Sequence, residues 1–206
     1  MTISFAITVF NEIEEIKKIL PFLLKHKRIE DEIIILFDEK NGSDEVLEYL
    51  LPFNKLPKVQ TWRSSDWNEN FGEWKNKLSE YCKGDFVYQI DADELISQYM
   101  IENLHNIIQI NSDVDLFFVP RINVVENITK EDIDRWNWKQ NEKGWVQFPD
   151  YQGRIYKKGL NWFGNVHEKI VGFKKYAILP TDEEYCIYHN KKIERQREQN
   201  NRYSKI

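Results

Sequence analysis

The chain opens on a short apolar run, with Ile3, Phe5, Ile7 and Val9 among its members, that reads as a buried strand. Behind it Ile13, Ile16, Ile19 and Leu23 recur at helical spacing. Asn11 is the predicted N-cap of that helix. Glu12, Glu14 and Glu15 occupy its first turn, with Lys25, Lys27 and Arg28 beyond its end, the order that suits a helix dipole. Pro21 is expected to kink or end it. A β-branched strand follows at 32–37, then a turn at 41–43 that leads into a helix over 44–51. Further along, the pattern predicts a short strand at 59–62, a helix at 73–81 stopped by Lys83-Gly84, and a strand at 86–90. A helix at 97–110 and a strand at 115–119 complete this part.

Repeated strand–helix order predicts an α/β fold, a mostly parallel sheet with helices on both faces. Ligands of such sheets bind beyond the carboxyl ends of the strands. That rule points to Asn11, Asp38 and residues 91–94. The segment 121–147 is polar, carries Trp136, Trp138 and Trp145, and fits no regular pattern. The run 191–205, with Lys192, Arg195, Arg197 and Arg202, reads as a charged helix whose default is a solvated face. A basic face towards anionic lipid or an acidic glycan is the functional alternative, weakened by interspersed glutamates. No internal repeat or linker is visible, so 1–206 is expected to be one domain.

Composition narrows the function. At 206 residues the chain is long enough for a substantial core. Its net charge of −5 argues against a nucleic-acid binder that works by neutralising phosphates. No apolar run approaches the roughly 20 residues that span a bilayer. Met1 runs almost directly into a strand, so no signal peptide is expected, and Cys82 and Cys186 lack metal spacing. A cytoplasmic protein is the expectation.

The strongest chemical signal is the strand 86–90 followed by Asp91-Ala92-Asp93-Glu94. Two carboxylates one residue apart at a sheet mouth suit Mg²⁺ or Mn²⁺, which keeps open positions for phosphate oxygens. A bare Asp-x-Asp is more often an acidic turn, so the context has to carry the reading.

Several motifs stand in order around it. Ile7-Thr8-Val9-Phe10-Asn11-Glu12 opens the chain, and 32–38 ends in Asp38. Phe71-Gly72-Glu73-Trp74-Lys75-Asn76 and Lys83-Gly84-Asp85-Phe86 precede the Asp-Ala-Asp-Glu sequence. Arg154-Ile155-Tyr156, Trp162-Phe163-Gly164-Asn165-Val166-His167-Glu168 and His189 follow. Together these resemble family 2 glycosyltransferases of the GT-A fold, a Rossmann-like nucleotide-diphospho-sugar transferase architecture. The resemblance is greatest to the branch that includes lipopolysaccharide-core glucosyltransferases. Departures are Phe37-Asp38-Glu39-Lys40-Asn41-Gly42-Ser43 where Asp-Asp-Gly-Ser is usual, and Lys75 where arginine is commoner.

The resemblance implies metal-dependent, inverting transfer from a UDP- or GDP-linked sugar to a glycan, glycolipid or protein-linked hydroxyl. It implies a nucleotide-sugar-binding half at 1–120 and an acceptor-side half at 121–206. Donor contacts fall to Thr8, Phe10, Asn11, Glu12, Asp38, Lys75, Asp91, Ala92, Asp93 and Arg154. Asp93, Asp91 and His189 are the expected holders of Mn²⁺ or Mg²⁺. Glu168 is the expected base, with Asp150 next, and Trp162, His167 and Glu94 are placed on the acceptor side. A sugar-phosphate nucleotidyltransferase would need a Gly-rich basic loop after the first strand, where this chain has Asn11-Glu12-Ile13. A degenerate module that binds sugar without transfer is the non-enzymatic alternative.

Overall fold

Every residue of the strand Glu32–Asp38 (β2) is buried, because its neighbours and two layers of helix cover it completely. In this computed structural model, which describes residues 1–203, β2 lies beside Ile3–Val9 (β1) and Val59–Ser64 (β3), all parallel. Phe86–Asp91 (β4) joins β1 on its other side, also parallel. The chain therefore winds one way from β1 through β2 to β3, then returns to β4 on the opposite flank. The gap beyond the carboxyl ends of β1 and β4 is the switch point where such sheets bind ligands. Thr8 and Asp91 are register partners there.

The sheet continues with Val146–Lys157 (β7), antiparallel to β4 and to Leu116–Glu126 (β6). Ile187–Lys192 (β11) runs parallel to β6 and pairs at its far edge with the short Glu94–Ile96 (β5). Lys169–Val171 (β9) pairs with Asn161–Phe163 (β8) in a separate two-stranded ribbon, and Tyr176–Ile178 (β10) adds to β6.

Helices cover both faces. Ile13–His26 (α1), Asp44–Leu50 (α2) and Gln98–Ile110 (α4) pack on one side, and Phe71–Tyr81 (α3) with the β8–β9 ribbon packs on the other. In α1, Ile16, Ile19, Leu20 and Leu23 form an unbroken buried stripe, each contributing roughly 1.5–3 kcal/mol on burial. Ser43, Asn70 and Ser97 cap α2, α3 and α4 by accepting from Val46, Glu73 and Met100 N–H groups. The described chain has no helix long and apolar enough to cross a membrane.

Four expectations are corrected. Asn11 does not cap α1: Glu12 holds the cap position, and its carboxylate accepts from the N–H groups of Phe10 and Asn11 instead. Pro21 does not end α1, which runs on to His26; it sits on the exposed side of the helix, opposite the buried stripe. The strand expected at 115–119 extends to Glu126, because β11, more than sixty positions away, pairs with its polar half. The unplaced segment after it holds Lys130–Trp136 (α5), closed by a capping box between Thr129 and Asp132. Trp136 packs against Trp138 over a small cluster formed by Val125, Val146 and Ile193.

Candidate active site

Carboxylates and cations alternate at the switch point. Asp91 ends β4 and accepts from Arg154 at 2.8 Å, with Lys75 at 3.2 Å. Burial would raise its pKa, but Arg154 and Lys75 outweigh that and hold it well below the ordinary value. Arg154 comes from β7 and is almost fully enclosed, as is Glu94, which takes 2.5 Å and 3.1 Å contacts from Arg154 and Arg121. Glu94 also accepts the Asp91 N–H. It is a buried keystone that ties β5 to the mouth of β4. Arg154 braces Asp91 from behind.

Lys75 lies in the second turn of α3, nearly buried, 2.7 Å from Glu168 and above the Trp162 ring. The Gly164–Glu168 loop reaches it because backbone meets backbone without side chains between. Phe71 and Gly72 donate to the carbonyls of Asn165 and Gly164 at 2.9 and 3.1 Å. A Cβ at Gly72 would stand 2.7 Å from the Gly164 oxygen, and Gly164 itself has φ +111°. His167 also adopts a positive φ in this loop. Trp162 is a core residue: its indole N–H donates to Tyr156 and its backbone is fixed by Asn76.

On the other side of the mouth, Asp93 faces His189 of β11, with Nε2 3.3 Å from Oδ2. Burial again pushes the Asp93 carboxyl up, and the hydrogen bond and charge of His189 with Lys191 more than reverse it. His189 Nδ1 lies 2.8 Å from Asn123 Oδ1. The Asn123 amide nitrogen donates to Asp150 at 2.9 Å, which fixes its oxygen towards the imidazole. Nδ1 therefore carries a hydrogen. Nε2 and a carboxylate oxygen then face each other as two acceptors unless a proton or a cation lies between them.

Asp150 is saturated: Arg121, Asn123 and Gln152 all donate to it. Burial raises its pKa, but Arg121 and these bonds leave it depressed. Asp38 accepts from Lys40 and Asn41 and shapes the turn after β2. Phe10 receives the Ser43 N–H on its carbonyl, which joins that turn to the end of β1. Ala92 is buried between the two aspartates, and Asn11 is exposed at the mouth. Among the described residues no three His, Cys, Asp or Glu side chains form a ready-made metal cage.

Ile193–Tyr203 (α6) crosses this side of the mouth. Arg195 pairs with Glu12 at 2.8 Å, Glu15 at 3.4 Å and Asp93 at 3.9 Å. Arg197 makes a fork on Asp132. The expected solvated or lipid-facing basic helix is thus corrected in part: these two arginines spend their charge on the protein. Lys205 lies outside the described residues. Sequence reasoning missed Arg121, Asn123 and Lys191 at the site. Lys191 was findable, since it shares a strand face with His189 two positions earlier.

Residues 4–178 match the glycosyl transferase family 2 model. This chain belongs to that family. The SPbeta prophage-derived glycosyltransferase SunS of Bacillus subtilis strain 168 is 30% identical over 118 residues, 57% of this chain and 25% of the relative. The chain thus spans a quarter of the length of that curated relative. Among solved structures, S. aureus TarS 1–349 superposes with a TM-score of 0.65 at 14% identity, covering 92% of this chain and 60% of that one. The same fragment in complex with UDP-GlcNAc gives 0.65 at 15% identity, with 93% and 59% covered. It is also solved with UDP, at 0.65 and 13%, with 92% and 60% covered. At these identities the likeness is one of fold, the GT-A arrangement.

Proposed function

We propose that the chain transfers a glycosyl group from a nucleoside-diphosphate sugar to a hydroxyl acceptor, with inversion and with Mn²⁺ or Mg²⁺ bound. The observation that carries the metal is the His189–Asp93 pair, two lone-pair atoms facing each other with Nδ1 already committed to Asn123. One carboxylate and one imidazole fit a cation that draws its remaining ligands from phosphate and water. Asp91, occupied by Lys75 and Arg154, fits a ribose or donor contact better than direct ligation. The ion, when bound, neutralises charge developing on the departing diphosphate.

The chain's own groups do the rest. The donor lies over the ends of β1 and β4, between Thr8, Phe10, Asn11 and the turn shaped by Asp38. Glu168 takes the proton from the acceptor hydroxyl as that oxygen bonds to the anomeric carbon and the bond to the diphosphate breaks. Its Oε1 is held by Lys75, and Oε2 has no protein partner among the described residues. Asp150, pinned by four donated bonds, is the weaker choice. Uridine is the favoured base, supported by the UDP and UDP-GlcNAc complexes of TarS. The acceptor is read as a hydroxyl of a glycan, lipid-linked or protein-linked partner, and the location as cytoplasmic. The Val166-His167-Glu168 signature supports the lipopolysaccharide-core-like branch.

The test is release of UDP from UDP-sugars by the purified chain, with Mn²⁺, with Mg²⁺ and with chelator. Metal-dependent release is expected. Binding without release would make the chain a sugar-nucleotide-binding module, and release that survives chelation would remove the metal.

A further inference from the structure

The residues that close the mouth from the C-terminal side, Lys191 and Arg195, lie beyond the 4–178 span that matches the family. Lys191 is almost enclosed and stands 3.9 Å from Asp93. Arg195 bridges Asp93 and two glutamates of the β1–α1 junction. One of them, Glu12, is buried, and burial raises its pKa even though Arg195 and two backbone N–H groups oppose the rise. These cations sit on the acids that border the donor site.

The element that carries Arg195 is held chiefly by charge. Among the described side chains of α6, Ile193 is the one buried apolar group, and it sits in a small cluster apart from the two main cores. By contrast α1 buries four apolar side chains in the principal core. Partly exposed ion pairs are weak and salt-sensitive, so α6 belongs to the low-stability end of the fold, from which opening elements are drawn.

We propose that α6 is a strap over the donor site, with Lys191 and Arg195 binding the donor's diphosphate once a cation has taken Asp93, while Arg195 stays paired with Glu12. This rests on the donor reading above. A cation captured by Asp93 would release Lys191 and Arg195 from that acid, and the diphosphate supplies the replacement charge. A guanidinium suits the task because its fork matches phosphate oxygens. In the donor-free state the same contacts park the strap on Glu12 and Asp93.

The experiment measures binding of UDP and GDP with Mn²⁺, each beside its nucleoside, to the full chain and to Arg195→Ala and Lys191→Ala. For the nucleoside diphosphate that binds, each variant is expected to weaken affinity about tenfold while the nucleoside is held unchanged. Hydrogen exchange of the α6 amides is expected to slow when that nucleotide is bound, more than with the nucleoside. Unchanged or tighter diphosphate binding by both variants overturns the strap, because the cations would then be bystanders or plain blockers. Equal loss for nucleoside and diphosphate also overturns it, since the arginine would then be a structural prop of Glu12. Arg195→Lys is a second check on folding: it keeps the charge on Glu12 and is expected to recover part of the diphosphate affinity. If the unaltered chain binds neither diphosphate, the donor reading falls and the strap falls with it, an outcome distinct from failure of the variants alone.

Discussion

The ammonium of Lys75 stands 2.7 Å from Glu168 and 3.2 Å from Asp91, so one nearly buried cation joins the acid at the end of β4 to the acid of the Gly164–Glu168 loop. The two carboxylates come from well-separated parts of the sequence. Lys75 fixes where Glu168 can present its remaining oxygen.

Glu168→Gln keeps the shape and the contact with Lys75 but removes the proton acceptor. Turnover is expected to fall by about 10²- to 10⁴-fold, with UDP and Mn²⁺ affinities held. Steady-state rates beside titration calorimetry decide it. A fall of less than about tenfold would move the base to Asp150.

Metal binding should read out separately at the two proposed ligands. Asp93→Ala is expected to abolish metal-dependent turnover and leave a folded protein, while His189→Ala raises the Mn²⁺ concentration needed for half-maximal activity. Circular dichroism checks the fold and a metal titration checks the ligands. An unchanged Mn²⁺ dependence in His189→Ala would show the imidazole to be a structural partner of Asn123.

Glu94 should matter to stability more than to chemistry. Removing it leaves Arg154 and Arg121 without the acid they share, and stranding one side of a buried ion pair costs about 3–5 kcal/mol. Glu94→Ala is expected to lower the urea midpoint accordingly. A loss below about 1 kcal/mol would mean that Asp91 and Asp150 absorb both arginines.

The two thiols give a pH test. Burial pushes Cys82 from 9.0 up to about 12, helped by the Glu32 charge, and pushes Cys186 up to about 11. Both are expected to resist alkylation at pH 8 in the native protein and to react after denaturation. A folded pKa above the unfolded one contributes stability that is complete below about pH 8.5 and lost as pH rises towards 12. Urea midpoints measured between pH 8 and 11 should therefore fall. Native alkylation at the unfolded rate would refute the burial of either thiol.

The βαβ winding was legible because its signal is local: the stripe of α1 and the continuous apolar run of β2 are written in adjacent residues. The length of β6 was not, since Arg121 and Asn123 make a polar strand only once β11 arrives beside them. The motif around Trp162 named its side of the site but not that Tyr156 and Asn76 bond to it in space. Arg195 and Arg197 looked solvated because helical periodicity names a face without naming what opposes it. The Asp-Ala-Asp sequence located the mouth, but which aspartate faces an imidazole depended on a strand almost a hundred residues later.

The position of β7 between β4 and β6 has a consequence for dissection. The strand that carries Asp150 and Arg154 is threaded through the middle of the sheet and paired to the strand that ends in Asp91. A fragment cut after residue 120 would leave Phe86, Val87 and Tyr88 on an unpaired edge, an open template for self-association. The halves expected at 1–120 and 121–206 are therefore inseparable as folding units, and a chimera with a relative is better built by exchanging loops at the mouth, with the strands left in place.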